Sequence, residues 1–134
     1  MLNFKVRLWD KERKCMIYDL YYEDLFIQDG KIYHLTSYSG EVEDWDDVTD
    51  RYELMLCTGL KDKNDKEIYD GDILEKEGYW SFYIGFKDGC FVKIPCEEVQ
   101  RVNWAWQPTT QSKIKNWVVT GNIYSNSELL AGSD

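Results

Sequence analysis

The stretch that most constrains the fold is TGLKDKNDKEIYDGDIL, residues 58–74. Gly59 favours a break after an apolar run, because only glycine takes a positive φ without steric cost. The polar residues 60–67 favour a turn that hydrogen-bonds its own backbone. Asp70-Gly71 is the strongest short turn signal in the chain. The stretch therefore predicts two short strands and two tight turns. Apolar residues on either side of the second turn are expected to share a core: Ile68, Tyr69, Ile73 and Leu74.

The amino-terminal residues predict a β-hairpin. Residues 2–9 alternate between two sets of side chains with a period of two, which indicates a strand with one buried face. Residues 10–14 form a charged turn, and residues 16–22 alternate again. A strand, a turn and a second strand follow from this order.

Strand signals recur about every ten residues, which is typical of a small barrel or sandwich. Residues 79–86 and 91–94 flank Asp88-Gly89 and predict a second hairpin. Residues 36–40 and 107–113 are expected to be loops. We expect a mainly β, barrel-like domain with one or two short helices. It spans residues 1–134, with a possible division into an acidic β region (1–57) and a barrel-like core (58–134).

The chain is acidic, with a formal net charge of −9 and a pI of about 4.6. This charge opposes binding to duplex DNA or to an anionic membrane, because phosphate binding needs Lys and Arg to displace counterions. No segment is apolar enough to span a bilayer, and the start lacks the apolar core of a signal peptide. We expect a protein that works in the cytoplasm.

Residues 41–50, EVEDWDDVTD, contain six acidic residues and no basic one. Val42, Trp45 and Val48 have a helix-like spacing, so a short amphipathic helix and a bent edge strand are both open. An acidic face of this kind suits a basic partner. The candidate interaction surface consists of Glu41, Glu43, Asp44, Asp46, Asp47 and Asp50.

The sequence gives little support for a metal site or for a catalytic nucleophile. His34 is the only histidine, and no two cysteines form a Cys-x-x-Cys pair. The four cysteines are expected to be buried free thiols: Cys15, Cys57, Cys90 and Cys96. The acidic loop beginning at Asp62 lacks the glycine and the closing carboxylate of a calcium loop. We therefore predict no catalytic residue, cofactor or metal.

Two further groups have a structural and a functional interpretation. Asp70 and Asp72 could form a catalytic pair, but carboxylates that accept turn amides are more common. Four tryptophans could stack on single-stranded nucleic acid, although only Arg101, Lys113 and Lys115 are near them in sequence, so a tryptophan-rich core is favoured. These tryptophans are Trp80, Trp104, Trp106 and Trp117.

Residues 58–73 resemble a motif of the YopX family of phage and prophage proteins. Residues 4–18 (FKVRLWDKERKCMIY) and 119–130 (VTGNIYSNSELL) are similar to the first and last segments of that family. Asp65 and Ser127 depart from its usual Gly and Pro. The resemblance implies a phage-derived, mainly β domain and no activity. The residues that match the motifs, and for which we expect structural roles, are Arg7, Trp9, Asp10, Thr58, Gly59, Leu60, Asp62, Asn64, Ile68, Tyr69, Gly71, Asp72, Ile73, Gly121, Asn122, Ile123 and Tyr124.

Three functions remain open. The leading hypothesis is a non-enzymatic phage accessory protein that binds a basic host or phage protein. The second is a factor linked to nucleic acid, such as a phosphate mimic that occupies a basic DNA-binding cleft. The third is an enzyme built around Asp70 and Asp72. Self-association is also expected, since exposed strand edges pair unless they are covered.

Overall fold

A computed structural model describes residues 5–39, 42–97 and 107–130, except for the side chains of residues 37–39, 42 and 43. These residues form eleven strands, one short α-helix and two 3₁₀ turns, which confirms the mainly β fold class. No helix in the described ranges is long and apolar enough to cross a bilayer. Contacts divide the chain into an amino-terminal unit (residues 6–55) and a carboxy-terminal unit (residues 1–5 and 56–134).

The amino-terminal unit contains two groups of antiparallel strands. The expected hairpin is confirmed, with Trp9 opposite Met16. A three-stranded sheet follows in the order β3-β4-β5, and a 3₁₀ turn at Thr49–Arg51 leads into β6. The strands are β1 (Val6–Asp10), β2 (Cys15–Ile17), β3 (Leu25–Gln28), β4 (Lys31–Ser39), β5 (Val42–Asp47) and the start of β6 (Tyr52–Lys61).

Three local expectations for this unit are wrong. Strand β1 is buried from Arg7 to Asp10 rather than on one face, because Leu8 packs into the core while Arg7, on the opposite face, contacts Met55 and Tyr18. The second hairpin strand ends at Ile17, since residues 20–25 turn back through local backbone hydrogen bonds. Residues 36–39 extend β4 instead of forming a loop.

Apolar side chains from several strands form the core of the amino-terminal unit. Leu8 and Ile17 come from the hairpin, and Leu25 and Ile32 come from the three-stranded sheet. Tyr52, at the start of β6, completes the cluster. This core fixes the three-stranded sheet by one face and leaves its other face outward.

The carboxy-terminal unit is built on a sheet in the order β10-β9-β8-β11. The end of β6 pairs with β7, with Cys57 opposite Tyr69. The core cluster includes Ile68, Leu74, Phe82 and Ile84. The further elements are β7 (Glu67–Tyr69), β8 (Asp72–Glu75), β9 (Phe82–Lys87), β10 (Cys90–Pro95), α1 (Gln111–Ile114), β11 (Val118–Asn122) and a 3₁₀ turn (Ser127–Leu129).

Two expectations for this unit need correction. Helix α1 lies within the predicted loop 107–113 and extends to Ile114, which is fully buried and anchors it. The sequence favours a tryptophan-rich core that includes Trp80. Trp80 is instead half exposed, because it precedes β9.

Asp62 organises the first turn of the central motif. Its Oδ1 accepts the amides of Asn64 (2.8 Å) and Lys66 (2.9 Å). Its Oδ2 accepts the amide of Val119 on β11 at 2.9 Å. Burial alone would raise the pKa of this carboxyl, but the three amides outweigh it and lower the pKa. One side chain thus closes the turn and attaches it to the last strand.

Gly71 occupies a position that suits only glycine. Its φ is +89°, a region that side chains disfavour. Its amide donates to the carbonyl of Ile84, and its carbonyl accepts the amide of Ile123. The turn between β7 and β8 is therefore bonded to residues from two other parts of the sheet.

Replacing Asp62 with Ala should lower the free energy of unfolding by about 2–4 kcal/mol, since three backbone amides lose their acceptor. Chemical denaturation measures this loss. Asp65→Asn is the matched control, because Asp65 is exposed in the same turn and Asn tolerates its positive φ. Equal stability of the two variants would contradict the role of Asp62.

Candidate functional site

The predicted acidic surface is a strand, not a helix, over most of its length. Residues 42–47 form β5, and Asp50 lies in the 3₁₀ turn that follows. Asp44, Asp46, Asp47 and Asp50 are exposed. Glu41 and the side chain of Glu43 lie outside the described residues. In the part of the chain that the structure describes, β5 pairs only with β4 and forms one edge of its sheet.

Strand geometry separates the acidic residues into two sets. Because successive side chains of a strand point to opposite faces, Asp44 and Asp46 share one face. Asp47 shares the other face with Trp45. Asp46 is opposite His34, and Asp47 is opposite Tyr33. The surface is therefore not the single acidic face that a helix would give.

Trp45 belongs to a cluster of rings on the outer face of the three-stranded sheet. Its ring lies 4.9 Å from that of Phe26 and 4.9 Å from that of Tyr33. Phe26 and Tyr33 stack with their centroids 5.3 Å apart. Trp45 is 46% exposed, so a large part of its ring faces solvent. We call Phe26, Tyr33 and Trp45 the aromatic patch.

The carboxylates near the aromatic patch differ in their local partners. Asp47 accepts the hydroxyl and the amide of Thr49, which lower its pKa, and its Oδ2 lies 3.9 Å from the ammonium of Lys31. Among the described residues, the side chains of Asp44 and Asp46 have no ion pair or hydrogen bond. These two carboxylates therefore remain open to a partner.

Asp10, which belongs to the first of the motif segments described above, is fully buried and accepts five hydrogen bonds. Arg13 Nε donates to its Oδ2 at 2.7 Å, and Arg51 donates through Nε and one terminal nitrogen at 3.1 and 2.9 Å. The amides of Glu12 and Arg13 both donate to Oδ1. Burial alone would raise the pKa of the Asp10 carboxyl, but the bonds from Arg51 and Arg13 hold it well below its ordinary value.

The carboxylates at the second turn of the central motif also bind backbone amides. Asp70 Oδ2 accepts the amide of Leu56 at 3.1 Å. Asp72 Oδ2 accepts the amide of Tyr69 at 2.8 Å, and Asp72 is buried. Thr58, also in the motif, donates its hydroxyl to the Ile68 carbonyl. Both aspartates therefore stabilise the local backbone by accepting hydrogen bonds from its amides.

The closing motif forms a similar backbone-binding turn. Asn122 Oδ1 accepts the amides of Tyr124 and Ser125 at 3.0 and 2.8 Å. Asn126 Oδ1 accepts the amide of Asn122 at 3.1 Å. A Cβ at Gly121 would collide with the Asn126 side chain, so glycine is needed at that position.

Four of the other motif residues are buried or pack beside a core, and Asn64 is exposed. Arg7 is buried, its Nε lies 3.4 Å from Met55 Sδ, and it donates to the Tyr18 hydroxyl. Trp9 and Ile73 are buried in strands, and Leu60 packs beside the carboxy-terminal core. Asn64 is exposed in the first turn.

All four cysteines are free thiols, as expected, but only Cys96 is buried. Burial raises the pKa of the Cys96 thiol. Cys15, Cys57 and Cys90 are half-buried. Within the described ranges, no three His, Cys, Asp or Glu side chains are grouped as metal ligands would be. Trp117 is buried and Trp80 is exposed, whereas Trp104 and Trp106 lie outside the described residues.

A family model described as YopX protein matches residues 5–131. The chain belongs to the YopX family. This confirms the resemblance that its motifs predicted. The solved structure of protein EF1440 from Enterococcus faecalis is similar, with 28% sequence identity over 97% of this chain and 99% of that one and a TM-score of 0.62. A comparison with curated proteins found no match.

Sequence reasoning missed the aromatic patch of this YopX-family chain. The spacing of Val42, Trp45 and Val48 leaves both a helix and a strand open, and nothing in it identifies a ring partner for Trp45. The available signal was the alternation in β5, which places Trp45 between two exposed aspartates. Its ring partners belong to β3 and β4, so only a prediction of the strand register could have identified them.

Replacing Asp10 with Asn should lower the free energy of unfolding by about 3 kcal/mol at pH 7, because two arginines lose a buried partner. The depressed folded-state pKa means that the charge stabilises fully above the unfolded pKa of about 3.9. This stabilisation is lost as the pH falls through the folded-state pKa. The difference between wild type and variant should therefore shrink below pH ~4, as measured by denaturation at each pH.

Asp29→Asn is the control for this experiment, since Asp29 is an exposed turn residue of the same unit. A difference between wild type and Asp10→Asn that stays constant from neutral to strongly acidic pH would contradict the ionic role of Asp10.

Proposed function

We propose that this YopX-family protein is a non-enzymatic accessory protein that binds another protein through the aromatic patch and the adjoining edge of β5. The observation that carries the proposal is the half-exposed Trp45 ring, which two other rings support. Tryptophan is enriched among the residues that dominate binding energy in protein interfaces. A ring fixed by its neighbours also loses little conformational entropy on binding.

The charges along β5, on the face opposite Trp45, indicate the kind of partner that would bind its edge. Asp44 and Asp46 are exposed along the edge strand, and no described cation pairs with them. Such carboxylates increase the association rate with a basic surface and disfavour acidic ones. A basic partner with an apolar pocket for Trp45 therefore fits this surface best.

The edge position of β5 offers a second mode of contact to the same partner. Its outer backbone groups can pair with an added strand, as in β-augmentation. A second copy of this chain could use the same edge. The mass of the purified protein in solution, measured by light scattering, distinguishes self-association from binding to another protein.

Affinity capture from lysate of an infected or lysogenic host tests the proposal. Trp45→Ala and the double variant Asp44→Asn, Asp46→Asn should each lose a partner that wild type retains. We expect a loss of about tenfold or more in affinity for Trp45→Ala, which corresponds to about 1.4 kcal/mol or more. Higher salt should weaken wild-type binding, mainly by slowing association.

Glu77→Gln combined with Glu128→Gln is the matched control, because it removes two exposed charges in the other unit. Equal capture by wild type, the control and both β5-region variants would show that this surface is not part of the binding interface. Loss in the control as well would show that net charge, rather than the β5 edge, governs binding.

A further inference from the structure

A cavity of about 320 Å³ lies within the carboxy-terminal unit. Its volume is at the lower end of the range of small-ligand sites, about 300–1,000 Å³. The lining combines rings and cations in a protein whose net charge is −9. The side chains that line it are Tyr79, Trp80, Phe82, Trp117, Lys76, Lys93 and Lys113.

The aromatic wall of the cavity is ordered by ring contacts. Trp117 makes edge contacts with Phe82 (centroids 4.6 Å apart) and Tyr79 (5.7 Å apart). Trp80 is half exposed, and among the described residues it has no ring partner. A face of the Trp80 ring is therefore available to a planar group that enters the cavity.

Lys93 is the unusual member of the lining. It is only 8% exposed, and its ammonium lies 5.2 Å from the centre of the Phe82 ring. No carboxylate or other hydrogen-bond acceptor among the described residues contacts this ammonium. Burial and the nearby charge of Lys113 lower its pKa. Its buried stem places an ammonium in the cavity without an anion from the described residues, and ionisable groups with shifted pKa values are enriched at functional sites.

The other two lysines add to this positive charge. The Lys76 ammonium lies 4.6 Å from the centre of the Tyr79 ring. Like Lys93, neither Lys76 nor Lys113 forms an ion pair with any described carboxylate. Three lysine side chains of one cavity are thus without an acidic partner in the parts of the chain that the structure describes.

Acidic residues limit the size of a suitable ligand. Glu75, Glu77 and Glu97 line a neighbouring depression, which shares Lys76 and Trp80 with the cavity. An anion that extended across Trp80 would meet these carboxylates. The charges therefore favour a compact anionic group that stays on the lysine side.

We propose that this cavity binds a nucleoside phosphate, with the base against the Trp80 ring and the phosphate beside the ammonium of Lys93. Lys113 and Lys76 supply further positive charge. Stacking of a base on an aromatic side chain combined with cationic contacts to phosphate is the usual way to hold an unpaired nucleotide. The ligand is either a free mononucleotide or one nucleotide of a single strand. This site is separate from the aromatic patch, which lies in the other unit.

Isothermal titration with AMP, adenosine, inorganic phosphate and an oligodeoxyadenylate of about eight nucleotides tests this proposal. AMP should bind more tightly than adenosine or phosphate, because it alone supplies both the base and the anion. An oligonucleotide that binds more tightly than AMP identifies a single strand as the source. An oligonucleotide that binds no more tightly identifies the free nucleotide. Absence of AMP binding up to millimolar concentration would overturn the proposal.

Variants assign the binding to this cavity. Lys93→Met and Trp80→Ala should each weaken AMP binding by about tenfold or more. Lys87→Gln, which removes an exposed charge from the same sheet, should leave it unchanged. Unaltered AMP affinity in both Lys93→Met and Trp80→Ala would overturn the assignment.

A thermal melt separates loss of the site from loss of the fold. Lys93→Met keeps an apolar chain of similar length in place of the buried lysine stem and removes the charge, so its Tm without ligand should equal or exceed that of wild type. Added AMP should raise the Tm of wild type but not of Lys93→Met. A Tm of Lys93→Met far below wild type would instead give Lys93 a structural role and count against the proposal.

Discussion

Hydrogen bonds from backbone amides to carboxylates are the interaction on which both units of this protein depend. Turns leave amides without partners, and a buried amide without an acceptor destabilises the fold. Asp10 satisfies two amides and two arginines in the amino-terminal unit. Asp62 and Asp72 serve turns of the carboxy-terminal unit. The abundance of acidic residues is thus not only a property of the surface, since several of them close the backbone.

The parts of the fold that the sequence predicts well are those set by local chemistry. Asp88-Gly89 predicts a hairpin because both residues tolerate the positive φ that they adopt. Pro95 marks the end of β10, because it cannot donate to a strand ladder. The YopX motifs coincide with turns in which side chains bind their own backbone. Each of these features depends on only a few neighbouring residues.

The errors arise where distant contacts decide the outcome. Arg7 looked like the polar side of a half-buried strand, but neighbouring strands bury it. Around Trp45 the sequence left a helix and a bent edge strand open, and pairing with β4 makes the segment a strand. For the tryptophans, sequence proximity identified Lys113 but missed Lys76 and Lys93, which reach the same cavity from other elements. Neither candidate surface could be derived without the strand register.

The contrast between the lysine-lined cavity and the acidic chain around it has a consequence for selectivity among anions. At physiological ionic strength, charges act over a screening length of about 8 Å. A long polyanion would meet repulsion from the chain's excess acidic charge along its whole length, whereas a short anion would meet it only near the entrance. Once inside, the short anion would be close to three ammonium groups without an acidic partner among the described residues. The same charge distribution would thus act as an electrostatic filter, admitting small phosphorylated molecules while keeping duplex nucleic acid at a distance.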